Sequence, residues 1–269
     1  MTAPSAHPAL RGRPIYLDYN ATTPVDPAVV EAMIPYLTRE FGNPSCSHTY
    51  GAAAHAGLEG GRHQVAQLVG ATADTVVFTG SGSEADALAI RGAVLAGPPG
   101  RRRHVITQVS EHPAVLAACR ELEELHGVAV TYLGVDRHGQ VDPAEVAAMI
   151  TPDTVLVSVM HANNETGTIQ PIAQIGQAAR RAGALLHVDA AQSAGKIDVD
   201  VDALGVDLLT VVGHKLYAPK GIGALYIRSG VRVHPLIGGG SQEHGLRAGT
   251  ENVASAVGFG GLPPWPPGR

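Results

Sequence analysis

Cysteine is nearly absent from this chain: Cys46 and Cys119 stand alone among 269 residues. Two cysteines build no disulfide framework and no zinc centre by themselves, so neither cross-links nor a metal are expected to hold the fold. Aromatics are scarce, with three Phe and one Trp, and charged residues are only 16%, against about 25% in an average soluble domain. Lysine is the rarest charge: of 19 basic residues, only Lys196, Lys215 and Lys220 are lysines. A net charge of −5 offers no basic field to nucleic acid or an anionic membrane. No window approaches the roughly 18–20 apolar residues of a membrane span. The first fourteen residues carry Arg11 and Arg13 without the apolar stretch of a secretory signal, and they read as a disordered leader. A soluble protein of a reducing, cytoplasmic compartment is the expectation.

What is present is apolar. Hydrophobic residues make up 45%, which excludes intrinsic disorder, and the length suits one large α/β domain or two ordinary ones. Short apolar runs alternate with longer amphipathic stretches. Val76–Phe78 precedes an Ala/Leu-rich helix near Glu84, and His104–Thr107 precedes Ala114–Leu125. Ala129–Leu133 precedes Pro143–Ile150, and Thr154–Met160 precedes Ile172–Ala182. Leu185–Val188, Leu208–Val212 and Ala224–Ile227 supply three late strands, and a helix is expected over Asn252–Phe259. Such alternation predicts a mostly parallel sheet covered by helices on both faces. Gly97–Arg103, with three arginines, reads as a solvated loop. Four prolines between Leu262 and Arg269 exclude a helix there, so 261–269 reads as a Pro-rich tail.

In a parallel sheet, ligands gather beyond the carboxyl ends of the strands. Thr79-Gly-Ser-Gly-Ser-Glu84 follows the first run and opens a helix, where amides and a hydroxyl can meet a phosphate, although such turns commonly do no more than cap. It fits neither the Walker nor the dinucleotide-binding glycine pattern. His112 follows the second run, and His161–Gly167 follows the fourth as a dense set of donors and acceptors. Asp189 leaves a buried strand, where a carboxylate is costly without a partner. Lys215 also leaves a buried strand, where desolvation frees the amine that a Schiff base needs.

One ligand accounts for the set: a phosphate-bearing aldehyde with a pyridine nitrogen. Pyridoxal phosphate needs a lysine for its aldehyde, an acid for its ring nitrogen and a cup for its phosphate. Lys215, Asp189 and the Ser81–Ser83 loop offer these. Lys196 and Lys220 are rival lysines, but both fall in loops rather than directly after a strand.

The motifs Tyr16–Pro24, Phe41–Ser45, Ser110–His112, His161–Glu165, His187–Gln192, Gly213–Lys215 and Leu246–Asn252 closely resemble the cysteine desulfurase family. These are fold-type I, class-V-aminotransferase-like pyridoxal-phosphate enzymes. The resemblance runs from Ile15 to about Gly260 and implies one cofactor-binding domain over 15–260. It implies that Lys215 bears the cofactor, that Asp189 partners the pyridinium nitrogen, and that His112 stacks on the ring and shuttles protons. Gln192 would hydrogen-bond the phenolic oxygen, with Asn164 beside that oxygen or the substrate carboxylate. Gly82, Ser83 and His214 would hold the phosphate, and Thr250 would reach the phosphate of a second subunit, which implies a homodimer. L-Cysteine would be the substrate, giving alanine and an enzyme persulfide for a sulfur acceptor or iron–sulfur scaffold protein.

Two departures stand out. Many relatives carry Ser where this chain has Val212, so one phosphate-binding hydroxyl is lost. The family's small C-terminal domain, with its persulfide cysteine and carboxylate-binding arginine, is expected to be largely missing. Neither Cys46 nor Cys119 lies in a comparable context, and both read as structural. The alternatives are another class-V aminotransferase, a selenocysteine lyase relative, or a non-catalytic remnant that serves only as an interaction module.

Overall fold

A computed structural model describes residues 7–97 and 103–261. The alternation of runs becomes a single seven-stranded sheet. Strands β1 (Val76–Thr79), β2 (His104–Gln108), β3 (Ala129–Leu133), β4 (Thr154–Ser158), β5 (Leu185–Asp189), β6 (Leu208–Val212) and β7 (Gly223–Ile227) lie in the order β1-β7-β6-β5-β4-β2-β3. From β6 to β3 every pairing is parallel, whereas β7 runs antiparallel to both β1 and β6. The expected mostly parallel sheet is present. The one reversed strand follows from connection: no helix crosses between β6 and β7, so the two pair as antiparallel neighbours.

Successive residues along each strand feed two separate apolar layers. Ile106, Val157, Leu209 and Tyr226 join one layer, with α2 (Thr49–Leu68), α5 (Pro143–Met149), α6 (Ile172–Ala182), α7 (Val201–Leu204) and α8 (Val253–Gly260). Val105, Leu156, Leu208 and Leu225 join the other, with α3 (Gly82–Leu95) and α4 (Pro113–His126). Helices therefore cover both faces. Among the described residues no helix is long and apolar enough to cross a membrane.

Local chemistry sets the helix ends that later matter. His112 caps α4, its Nδ1 accepting from the Ala114 amide at 3.2 Å, with Pro113 in the first turn and Gly127 ending the helix at φ 62°. α6 ends likewise at Gly183, φ 74°, with Arg180 and Arg181 in its last turn. α1 (Pro27–Thr38) and α2 carry little amphipathic signal and were not anticipated. Packing overrides propensity there: a β-carbon at Gly61 would collide with the Ala256 carbonyl of α8, so glycine lets the two helices approach.

The outer edge of β1 is closed by side chains. Arg62 of α2 donates to the Val76 carbonyl at 2.9 Å, and Glu243 accepts from the Phe78 amide at 2.7 Å. The two join each other through a bidentate pair at 2.6 and 2.9 Å, both side chains almost fully buried. An ion pair thus occupies the place of a missing strand. Glu243 sits at φ 47° and His244 at φ 59°, a left-handed conformation unusual for side-chain-bearing residues.

Of the sequence-predicted leader, residues 7–14 are described: Pro8–Leu10 form a 3₁₀ turn and His7 Nε2 lies 2.8 Å from the Val25 carbonyl oxygen. Most of the Arg-rich loop and all of the Pro-rich tail beyond Gly261 lie outside the described residues.

Candidate active site

The carboxyl ends of β1, β2, β4, β5 and β6 open into one cavity of about 730 Å³, roofed by the N-terminal segment around Asp18, Asn20 and Ala21. Gly82, Ser83, His112, Asn164, Asp189, Gln192, His214 and Lys215 all line it. Of the residues expected to hold the cofactor, only Thr250 is elsewhere: it is exposed, in the loop before α8; the rival lysines Lys196 and Lys220 do not line the cavity.

The β1 end turns into α3. Ser81 caps the helix, its hydroxyl accepting from the Glu84 amide at 3.1 Å, and the first helical bond runs from Ala85 N to the Ser81 carbonyl. The amides of Gly82 and Ser83 therefore precede the ladder and face an anion-favouring helix end. Ser81 uses a lone pair of its hydroxyl in the cap, so its O–H, like that of Ser83, remains able to donate to an anion. Glu84 ties the turn down, accepting from Gly80 N at 2.8 Å and from Arg247 Nε at 2.8 Å. Gly82 carries no side chain for a physical reason: a β-carbon there would collide with Val212 Cγ2.

The floor holds two carboxyls and one imidazole. Asp189 is 6% exposed, accepts from the Ala191 amide at 2.9 Å, and belongs to no ion pair among the described residues. Burial pushes its carboxyl up, while the Ala191 N–H and the facing His112 and Lys215 pull it back. Asp86 of α3 was not anticipated. Its Oδ1 is buried without a hydrogen bond, 3.7 Å from His187 Nε2. Burial and the charge of Asp189 push its carboxyl well above the ordinary range. His187 meets Ser158 Oγ at 2.9 Å and Thr210 Oγ1 at 3.2 Å, and burial lowers its pKa to about 3, so it stays neutral. Of the two carboxyls, Asp189 is the one that faces Lys215 and His112.

Opposite stands Lys215, in the 3₁₀ turn after β6. Its Nζ donates to the Asn20 carbonyl, and desolvation lowers its pKa against the pull of Asp189 and Asp18. The same carbonyl accepts from Gln192 Nε2 at 2.8 Å, and Gln192 Oε1 accepts from Lys196 Nζ at 2.7 Å. His214 Nδ1 lies 3.1 Å from Thr22 Oγ1. Asn20 donates to the Asn164 carbonyl at 3.2 Å. The neighbouring Asn163 faces inward, its Oδ1 accepting from the amides of Glu165 and Thr166, and so shapes the loop that presents Asn164.

Glu111, beside His112, is a buried anchor that sequence reasoning did not single out. Its Oε1 accepts from Gln108 Nε2 at 2.9 Å and from the Met160 amide at 2.6 Å, joining the ends of β2 and β4. Burial pushes its carboxyl from an ordinary 4.5 up to about 8. The folded state therefore binds the extra proton more tightly than the unfolded chain. Its contribution to stability is fully present below pH 4.5 and is lost as pH rises through 8. Glu111→Gln removes the titration, so the stability of the parent relative to the variant should fall across that window. Urea midpoints measured at closely spaced pH values check this; parallel curves would refute it.

Comparison with known proteins follows the same lines. The class-V aminotransferase family profile matches residues 15–263. A cysteine desulfurase of Nostoc sp. is 54% identical over 246 residues, 91% of this chain and 61% of that relative. The cysteine desulfurase IscS of Rickettsia africae is 49% identical over 250 residues, covering 92% and 60% respectively. Among solved structures, SspA in complex with cysteine superposes with a TM-score of 0.87 at 42% identity, covering 91% of this chain and 71% of that one. DndA from Streptomyces lividans gives 0.80 at 39% identity, covering 91% and 70%. The chain spans about 61% of the length of the curated relatives it matches. Pyridoxal phosphate is the cofactor of this family. With a profile match over nearly its whole length, the chain belongs to the class-V aminotransferase family, and the relatives it matches there are cysteine desulfurases.

Proposed function

We propose that this chain forms the cofactor-binding part of a pyridoxal-phosphate-dependent enzyme that removes sulfur from L-cysteine. The reading rests on one observation above all: a lysine of lowered pKa and a buried carboxylate outside any described ion pair share a single cavity, into which a helix N-terminus opens. The residues fit the group. Asp189 lacks the cation that a protonated ring nitrogen provides, the Gly82 and Ser83 amides lack the acceptor that a phosphate provides, and Lys215 has an amine inclined to lose its proton.

Held there, pyridoxal phosphate would supply an aldehyde for amine capture and an electron sink for bonds at the substrate's α-carbon. Lys215 provides the attachment amine. Asp189 keeps the ring nitrogen protonated. His112 uses Nδ1 to cap α4, so Nε2 is the nitrogen left to carry a proton over the cavity. Gln192 donates from Nε2, and Asn164 stands beside it at the rim. Ser83, His214 and the α3 amides hold the phosphate. Thr250, exposed and outside its own cavity, is free to reach the site of a second copy, which makes the functional unit a homodimer. Residues 15–260 act as one domain in this reading, in the cytoplasm, delivering sulfur to an acceptor such as an iron–sulfur scaffold protein.

Borohydride reduction of the cofactor-loaded chain, followed by peptide mass spectrometry, tests the assignment. The reduced label should fall on Lys215 and vanish in Lys215→Ala. Label on Lys196 or Lys220 would overturn it.

A further inference from the structure

Lys196 has no part in the scheme above, yet it is half-buried beside the site and does not line the cavity. It stands one layer behind Gln192, to which its ammonium donates at 2.7 Å. A lysine ammonium has donors only, and a backbone carbonyl is an acceptor only. Gln192 lies between one of each: Lys196 Nζ on its oxygen and the Asn20 carbonyl on its nitrogen at 2.8 Å. Either contact alone specifies the same orientation of the amide. Turning the amide over would set its NH2 against the ammonium and its oxygen against the Asn20 carbonyl; without Lys196 only the second mismatch opposes the turned form, which offers its oxygen to the cavity.

We infer that Lys196 is a positioning residue, which holds the Gln192 amide with its N–H end toward the cavity so that the site meets an electron-rich ring oxygen with a donor. One hydrogen of Nε2 goes to the Asn20 carbonyl, and the second remains for the ligand. The same carbonyl also receives Lys215 Nζ, so the chain Lys196–Gln192–Asn20–Lys215 ties the attachment lysine to the donor beside it. The role toward the ring oxygen rests on the pyridoxal-phosphate reading; the orientation of Gln192 does not.

Two arms keep those claims apart. In the cofactor-free chain, the side-chain amide protons of Gln192 are followed by ¹H–¹⁵N spectroscopy, assigned with Gln192→Leu. Lys196→Met should speed their exchange with water about tenfold, and Lys196→Arg, which keeps a donor, should restore slow exchange. In the loaded chain, the pH midpoint of the visible band at Lys215 is measured. Loss of a nearby donor favours the protonated linkage, so Lys196→Met should raise the midpoint by about one pH unit and Lys196→Arg should leave it near the parent value. Asp189, Asp18 and His214, the other titratable groups near Lys215, are unchanged in each variant. In a Gln192→Leu background the Lys196→Met shift should largely disappear. Unchanged amide exchange in Lys196→Met overturns the inference. So does a midpoint shift of equal size with and without Gln192, because the lysine would then act by charge alone. If the parent chain carries no label on Lys215, the cofactor reading falls, while the amide exchange still decides the role of Lys196.

Discussion

Loaded with pyridoxal phosphate and given L-cysteine, the 269-residue chain is expected to form no enzyme persulfide. Sulfur transfer needs a thiolate that attacks the substrate sulfur, with the reacting atoms about 3–3.5 Å apart. The sequence has two cysteines, and neither lines the cavity. Cys119 is fully buried on the inner face of α4, and burial pushes its thiol up to about 12, which leaves almost no thiolate at neutral pH. Cys46 is half-exposed in the loop before α2. Among the described residues no arginine lines the cavity to fix a substrate carboxylate, so the amino acid should also bind loosely. Capture of the amine at the Lys215 site should proceed while sulfur release does not. Alanine and sulfide are measured under reductant, with mass spectrometry for a sulfur adduct. Stoichiometric alanine together with a persulfide on Cys46 would show the argument to be wrong.

Glu243→Gln should destabilise the fold by about 3–5 kcal/mol, the range seen when one partner of a buried ion pair is removed. Arg62 would be left buried beside the Val76 carbonyl and the Phe78 ring, 4.9 Å from its centroid, with only the half-exposed Glu59 to balance its charge. The Gln oxygen can still accept from the Phe78 amide and Arg62 Nη1, but its NH2 then faces Arg62 Nη2, donor against donor. Replacing both partners, as in Arg62→Met with Glu243→Leu, should cost less than the sum of the single changes, because no charge is then left stranded. Chemical denaturation of the four variants measures the coupling. Additive losses would show that the two side chains act independently.

The strands were legible because each reads as a short, mostly apolar run between polar segments: the edge strand Ala129–Leu133, of which only Leu133 is buried, and the fully buried Leu208–Val212 have the bounds expected from sequence alone. α6 was legible for a different reason, with one apolar face and a glycine stop. α1 and α2 were not: α1 carries Pro35 in its interior and α2 is rich in Ala and Gly, and both depend on contacts with α8 that no local pattern records. The direction of β7 was hidden for a similar reason, since strand composition does not encode orientation. Site residues announced themselves by position, as polar side chains directly after apolar runs. Asn20 contributes a backbone carbonyl, which its side chain does not advertise. Asp86 lies on the buried face of a helix, and Lys196 acts through another residue. Such groups become visible only once the chain has brought distant segments together.

The contact between Gly82 and Val212 imposes an order on how this site can change over generations. Residue 82 cannot acquire a side chain while the valine methyl occupies the space above it. Residue 212 can shrink at any time, at the expense of a small void. A smaller residue at 212, such as serine, opens room for a methyl at 82, whereas a methyl added at 82 first meets the valine. Two positions far apart in the chain are thus coupled through a single contact on the phosphate side of the cavity.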